Sequence, residues 1–179
     1  MIEPLYFQTE QLLVHPFRAE DMERFGQLSM EVFSILSDDL TLKYIPEKRL
    51  FSLADAELYL QTMLMNYHAG LNYLHFISDR SSGKVIGLID LISPGVARQH
   101  YQMDEYPFFI EFYLGAAASG CYIMTEILPA VVEGIFKRGI HRIAAVINRN
   151  NIAARKVLEN ARFSYKAPFD LLQDLYEIY

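Results

Sequence analysis

Short apolar runs alternate along this chain with longer stretches in which apolar residues recur every three or four positions. The runs are rich in β-branched and aromatic residues and are bounded by turn residues, a pattern that predicts strands. Seven strands are predicted in this way: Leu12–His15, Leu71–Ser78, Lys84–Ile92, Phe108–Leu114, His141–Ile147, Phe163–Ala167 and Asp174–Tyr179. The helical spacing predicts helices over Ala19–Ser29 and Ser52–Ala69, one between Gly115 and Arg138, and one that begins near Asn151.

The helix over Ser52–Ala69 has the clearest limits. Ser52 is a candidate N-cap and Gly70 supplies a stop. Two other segments fit neither the strand period nor the helix period. Ser34–Pro46 shows no clear pattern, and the polar stretch Ser93–Tyr106 is expected to be a long loop. Long loops within compact domains often cover a binding site.

The order of these elements predicts an α/β (α+β) fold, with helices on both faces of one sheet. The turn residues Asp79–Gly83 join two strands as a hairpin. A helical crossover separates Phe108–Leu114 from His141–Ile147, so those two strands are expected to be parallel. No repeat, low-complexity segment or linker interrupts the chain, and residues 1–179 are expected to form a single domain.

Composition limits the class of protein. Of the 179 residues, 52% are hydrophobic and 21% are charged, which is the balance of a globular chain and not of a disordered one. The net charge of −6 and the lack of a Lys and Arg cluster argue against nucleic acid as a partner. No apolar run reaches transmembrane length and no signal-peptide pattern is present, so we expect a cytoplasmic protein without a membrane partner.

The stretch Asn-Ile-Ala-Ala-Arg-Lys-Val-Leu-Glu-Asn-Ala-Arg-Phe, residues 151–163, follows a predicted strand and opens a helix. An Asn at such a junction can cap the helix and still present its amide to a ligand. The stretch resembles the last conserved block of the GNAT superfamily of acyl-CoA-dependent N-acetyltransferases. Residues 9–21 are similar to the opening of the branch that includes ribosomal-protein N-terminal acetyltransferases. Residues 84–90, 109–115 and 141–145 look like that branch's third, fourth and fifth strands.

The resemblance implies a fold and a reaction. The fold is a mixed, mostly antiparallel central sheet of about seven strands. The co-substrate is acetyl-CoA, without a metal, and the acetyl group passes directly to an amine, either a protein N-terminus or a small molecule. A homodimer is possible. Two other functions stay open: a catalytically inactive GNAT-fold binding or regulatory module, and an acyltransferase with a different acyl-CoA donor.

The loop after the fourth family strand usually carries an Arg/Gln-x-x-Gly-x-Gly/Ala motif, whose backbone N–H groups hold the pyrophosphate at a helix N-terminus. The corresponding loop here reads Ser119-Gly-Cys-Tyr-Ile-Met124. Tyr122 stands where the key glycine is expected, and Met124 stands where Gly or Ala is expected. Either the backbone amides still bind the cofactor, or the Tyr122 ring blocks the pyrophosphate.

The resemblance also implies which residues contact the cofactor. The main-chain contacts would come from the loop and the following turn: Gly120, Cys121, Tyr122, Ile123, Met124 and Thr125. Asn151 would contact the pantetheine or phosphate arm. A backbone N–H near Phe112 or Leu114 would bind the thioester oxygen as negative charge develops on it.

Glu111 is the candidate general base, because a carboxylate within an otherwise apolar strand must be paired, face a wet cleft or have a raised pKa. An ordinary salt-bridged or edge-exposed glutamate is the alternative. Tyr113 could donate a proton to the departing thiolate, but the chain has 12 tyrosines and most of them are expected to be packing residues. Asp90 could bind the substrate amine, or it could lie in water at the end of its strand.

Overall fold

The computed structural model describes residues 2–179, which form one eight-stranded sheet with helices packing around it. The strands are β1 Phe7–Gln8, β2 Leu12–His15, β3 Asn72–Asp79, β4 Val85–Ile92, β5 Phe108–Leu114, β6 Ile143–Asn148, β7 Ser164–Pro168 and β8 Gln173–Ile178. The helices are α1 Ala19–Glu23, α2 Phe25–Leu36, α3 Leu53–Ala69, α4 Pro94–His100, α5 Ile123–Lys137 and α6 Ile152–Asn160. The strand order is β1-β2-β3-β4-β5-β6-β8-β7.

The sheet is mixed and mostly antiparallel, which confirms the predicted fold class. The predicted parallel pair is present: Phe108 of β5 lies opposite Ile143 of β6, and Phe109 lies opposite Ala144. The sheet has one strand more than the sequence predicted. This strand, β1, has two residues, which pair with Val14 and Leu13 of β2, and a segment of two residues is too short to show a period.

Helix α3 begins and ends where its sequence signals predict. The Ser52 side chain accepts a hydrogen bond from the Asp55 N–H at 3.2 Å, which is the usual geometry of a serine N-cap. Gly70 follows the helix with φ of 72°, in the left-handed conformation that glycine adopts without steric cost.

The expected loop over Ser93–Tyr106 was wrong in its first half, which forms α4. Pro94 occupies the first turn of this helix, where a proline removes no helical hydrogen bond because the first amides have no partner within the helix. Ala97 on α4 is fully buried and packs with Phe109 in an apolar cluster. One buried small residue leaves little helical periodicity in the sequence.

The described chain divides into two compact units. The first contains the residues through Asp90 together with Phe112–Cys121, and the second contains Leu91–Glu111 and Tyr122–Tyr179. The first unit has an apolar core that includes Leu28, Leu60 and Phe76, all fully buried. That residues 1–179 form a single domain stays a prediction.

None of the helices within residues 2–179 combines the length and the hydropathy needed to cross a bilayer. Within the same residues, no group of three or more His, Cys, Asp or Glu side chains is arranged to hold a metal ion.

Candidate active site

Tyr122 has an unusual backbone conformation at the start of α5. It is the N-cap residue of this helix, with φ of 60° and ψ of 10°, in the left-handed region. N-cap residues normally adopt an extended conformation, and a bulky residue with positive φ is a genuine outlier. The left-handed conformation is the one that glycine adopts without cost. The backbone therefore follows a path that suits the glycine expected at this position, even though the residue is tyrosine.

The two bulky side chains of the loop differ in their exposure to solvent. The Tyr122 side chain is 79% exposed, so its ring lies in solvent and is not packed into a pocket. Met124 is 3% exposed, so its side chain is buried. Earlier in the loop, Gly120 has φ of 79° and no atom lies within 4 Å of the position that a Cβ would occupy. Cys121 is exposed, and its Sγ lies 3.9 Å from the carbonyl oxygen of Ala117.

The first turn of α5 presents backbone donors. The Glu126 N–H donates to the Tyr122 carbonyl at 3.0 Å, which closes the first helical turn, and no side chain caps the helix. By helix geometry, the amides of Ile123, Met124 and Thr125 have no acceptor within the helix. Such amides and the positive end of the helix dipole favour an anion. The pyrophosphate of CoA is an anion of this kind.

Pro129 lies inside α5 without breaking the first turn. A proline at this position removes the hydrogen bond that would otherwise reach the carbonyl of Thr125, four residues earlier. The Asn160 side chain, at the end of α6, donates its Nδ2 hydrogen to that carbonyl at 2.9 Å. A side chain of α6 therefore replaces the missing backbone donor of α5.

Asn151 caps α6, as its position predicted. Its Oδ1 accepts a hydrogen bond from the Ala154 N–H at 3.1 Å. This contact uses only the oxygen of the side-chain amide, so the NH2 group can still donate to a ligand. Whether Asn151 contacts CoA stays a prediction.

The backbone of β5 orients the amides of Phe112 and Leu114 away from β4. The Gly115 N–H donates to the Ile86 carbonyl of β4 at 2.9 Å. Along a strand, successive residues direct their N–H and C=O groups to opposite edges. The N–H groups of Phe112 and Leu114 therefore point to the other edge of β5. These are the two residues for which a thioester contact was predicted.

Gly87 allows β4 to approach this end of β5 closely. A Cβ atom at Gly87 would lie 2.8 Å from the Tyr113 carbonyl oxygen and 2.7 Å from Cδ2 of Leu114. Both distances are shorter than real Cβ contacts. Because Gly87 has no side chain, the backbone of Tyr113 and Leu114 can come this close to β4.

The candidate base, acid and amine-binding residue lie in different surroundings. Glu111 is half-buried in β5. Tyr113 is 6% exposed and belongs to the apolar core of the first unit. Asp90 is 4% exposed, and its Oδ2 accepts a hydrogen bond from Nδ2 of Asn72 at 2.7 Å. The alternative that Asp90 lies in water at a strand end was therefore wrong, because the residue lies within β4 and its carboxylate is buried.

Comparison with known proteins identifies the family of the chain. A family model described as an acetyltransferase (GNAT) domain matches residues 11–164. The chain therefore belongs to the GNAT acetyltransferase family, whose members are acetyl-CoA-dependent N-acetyltransferases. No curated protein matches the chain in sequence.

Solved structures with the same fold include several acetyltransferases. A GNAT-family acetyltransferase from Bacillus anthracis is 19% identical, with a TM-score of 0.67 over 97% of this chain and 96% of that protein. A putative ribosomal-protein-serine acetyltransferase from Vibrio cholerae is 15% identical, with a TM-score of 0.72 over 99% of both chains. The ribosomal L7/L12 alpha-N-protein acetyltransferase RimL, in complex with coenzyme A, is 15% identical, with a TM-score of 0.69 over 97% of both chains. At these identities the likeness establishes the fold.

Proposed function

We propose that this protein binds acetyl-CoA through the main-chain amides of Ile123, Met124 and Thr125 and transfers the acetyl group directly to an amine. The observation that carries the proposal is the left-handed conformation of Tyr122. It gives the loop a glycine-like backbone path and leaves the tyrosine ring in solvent. The departures from the family motif therefore alter side chains more than they alter the donors.

Acetyl-CoA would supply an acetyl group activated as a thioester. On the protein side, the amides of Phe112 and Leu114 point to the edge of β5 opposite β4, where one of them would donate to the thioester oxygen. Such a donor contributes most when negative charge develops on the oxygen during attack. Asn151 would add a contact to the pantetheine or phosphate arm.

An amine attacks a thioester only when it is neutral, so a base must remove its proton. We assign this role to Glu111, either directly or through a water molecule that it orders. The nitrogen then forms a bond to the acetyl carbon and loses its second proton, the carbon–sulfur bond breaks, and the CoA thiolate takes up one proton. Tyr113 was predicted to supply that proton, and its role stays a prediction. Its position in the apolar core favours a packing role.

The acceptor is an amine of a protein N-terminus or of a small molecule. The sequence resemblance to the ribosomal-protein branch makes protein N-termini the first acceptors to test, and ribosomal-protein acetyltransferases occur among the similar structures. A homodimer also stays a prediction. The edge strand β7 has an irregular register between Tyr165 and Ala167 and contains Lys166 and Pro168, features that hinder pairing through this edge.

Isothermal titration with CoA and acetyl-CoA tests the binding step, followed by mass spectrometry of peptide and small-amine panels incubated with acetyl-CoA. We expect saturable binding and the addition of one acetyl group to at least one class of amine. Glu111→Gln should abolish most turnover without weakening CoA binding. Glu133→Gln is the matched control, since Glu133 is 66% exposed and pairs with Lys137.

The outcomes separate the candidate functions. Binding without acetylation of any amine would favour a regulatory module. Binding and transfer of a longer acyl group in preference to acetyl would favour a different acyl-CoA donor. No binding of either ligand would reject the proposal.

A further inference from the structure

The segment between α2 and α3, for which the sequence showed no clear pattern, contacts the end of β5. The Thr41 hydroxyl lies 2.8 Å from the Leu114 carbonyl oxygen, to which it donates, across 73 positions of the chain. Thr41 and Leu114 both belong to the first unit. The neighbouring Leu42 is 1% exposed and belongs to the apolar core, so the segment is anchored where it meets β5.

The contact completes the restraint of one peptide group. The Gly115 N–H of the Leu114–Gly115 peptide donates to Ile86 of β4, and the Leu114 carbonyl of the same peptide points to the opposite edge, where Thr41 donates to it. The peptide is therefore held from both edges of the strand. The Leu114 N–H belongs to the preceding peptide and points to the same edge as the Leu114 carbonyl, so restraint of the Leu114–Gly115 peptide limits the direction of this N–H.

Thr41 is itself held in place. The Asp38 carboxylate accepts a hydrogen bond from the Thr41 N–H at 2.8 Å and lies 3.0 Å from the Thr41 hydroxyl. Donation from the Thr41 backbone lowers the pKa of Asp38 below its ordinary value. The hydroxyl has one proton and two acceptors, and the Leu114 carbonyl is the nearer of the two.

We propose that Thr41 is a positioning residue for acetyl transfer, because its hydroxyl holds the Leu114–Gly115 peptide and thereby aims the Leu114 N–H at the thioester oxygen. The inference rests on the proposed function, since it requires that acetyl-CoA binds along this edge of β5. Thr41 itself does not touch the reacting atoms. Its removal should disturb the acetyl carbonyl and leave the affinity for the rest of the cofactor largely unchanged.

A spectroscopic test needs no knowledge of the acceptor. The probe is acetyl-CoA labelled with ¹³C at the acetyl carbonyl, bound to wild type or to a variant. A hydrogen bond to this oxygen moves the carbonyl resonance downfield from its free position. We expect that shift in wild type and in Thr41→Ser, which keeps the hydroxyl. In Thr41→Val and Thr41→Ala the resonance should return toward its free position, while the Kd for CoA changes by less than about threefold.

Thr9→Val is the matched control, since the Thr9 hydroxyl also bonds to backbone, accepting from the Leu12 N–H at 3.1 Å in the turn between β1 and β2. It should leave the resonance unchanged. An unchanged resonance in Thr41→Val and Thr41→Ala, with CoA still bound, would overturn the role of Thr41 and leave the proposed function intact. An equal loss of affinity for CoA and acetyl-CoA would also overturn it. Failure of wild type to bind either ligand would overturn both.

If neither Thr41→Val nor Thr41→Ala folds, hydrogen exchange on Thr41→Ser and wild type decides the question. Both proteins should then protect the Gly115 amide to the same extent, within about threefold. Much faster exchange in Thr41→Ser, despite its hydroxyl, would contradict the proposal.

Discussion

Asn160 donates from Nδ2 to the carbonyl oxygen of Thr125 at 2.9 Å. This carbonyl is the one left without a helical donor by Pro129, four residues further along α5. The contact joins the end of α6 to the first turn of α5, whose amides are the proposed pyrophosphate donors. The donor that Pro129 removes from the first turn of α5, next to the proposed cofactor site, is therefore replaced by a side chain of another helix.

The compensation predicts a coupling between Asn160 and Pro129. Asn160→Ala should lower the free energy of unfolding by about 1 kcal/mol, because a helix carbonyl loses its donor. In a Pro129→Ala background, residue 129 regains an N–H, and the same Asn160→Ala change should cost close to nothing. Urea unfolding of the four proteins of this cycle measures the coupling energy. Equal costs in the two backgrounds would show that the two residues act independently.

The strained conformation of Tyr122 predicts that glycine is the better residue at this position. Tyr122→Gly should raise the free energy of unfolding relative to Tyr122→Ala by about 1 kcal/mol, since alanine keeps the Cβ that penalises a left-handed residue. Comparison with alanine separates this strain from loss of the ring. Neither change should abolish CoA binding, because the ring is in solvent. Equal stability of the two variants would contradict the assigned backbone conformation.

The close approach at Gly87 predicts a large effect of one methyl group. Gly87→Ala should lower the free energy of unfolding by several kcal/mol, on the order of the cost of overpacking, because the new Cβ would meet the Tyr113 carbonyl at 2.8 Å. Gly26→Ala is the control. Gly26 lies in α2 with nothing within 4 Å of a Cβ position, so alanine there should stabilise the helix by about 0.5–1 kcal/mol. Chemical denaturation of both variants distinguishes these effects, and a neutral Gly87→Ala would mean that β4 and β5 are not packed this tightly.

His15 predicts how stability depends on pH. Burial lowers the pKa of this fully buried histidine below its ordinary value of 6.5, and its Nε2 bonds to the Ser78 hydroxyl at 2.8 Å. The unfolded chain therefore takes up a proton at higher pH than the folded protein does. The contribution of neutral His15 to the free energy of unfolding is complete above the pKa of the unfolded chain. It is lost as pH falls below about 6.5, and the free energy of unfolding then changes by up to about 1.4 kcal/mol per pH unit.

This slope is measured from the free energy of unfolding between about pH 7.5 and pH 5, the range in which histidine side chains titrate. Some carboxyl groups also have a lowered pKa, such as Asp79 with a pKa of about 2. Because the ordinary pKa values of Asp and Glu are 3.8 and 4.5, these groups change the free energy of unfolding mainly at lower pH. His15→Asn should remove part of the slope whatever its effect on absolute stability. An identical slope in wild type and His15→Asn would exclude His15 as its source.

Local signals in the sequence predicted much of the fold, and long-range contacts account for the rest. Ser52, Gly70 and Asn151 were predicted at helix ends because capping depends on residues three or four positions away. The contact between Thr41 and Leu114 spans 73 positions, and no local pattern records it. The sequence also does not predict that Asn160 replaces the missing backbone donor. The position of Pro129 does identify the carbonyl that needs a donor.

The loop at Tyr122 shows what residue identity alone leaves open. By the family motif, a tyrosine in place of glycine suggests a blocked site. The side-chain direction depends on φ and ψ, which the motif does not specify, and here the ring points to solvent. The burial of Met124 likewise depends on how α5 packs. Comparing residue types could therefore not predict the exposure of the Tyr122 ring or the burial of Met124.

The most direct measurement is a titration of ¹⁵N-labelled protein with CoA, followed through the backbone amide resonances. The proposed site predicts saturable shifts of Ile123, Met124 and Thr125 that are larger than those elsewhere in α5. If these three resonances stay in place at millimolar CoA, or if CoA shifts only distant residues, then the amides at the start of α5 do not bind the pyrophosphate and the proposed mechanism of cofactor binding is wrong.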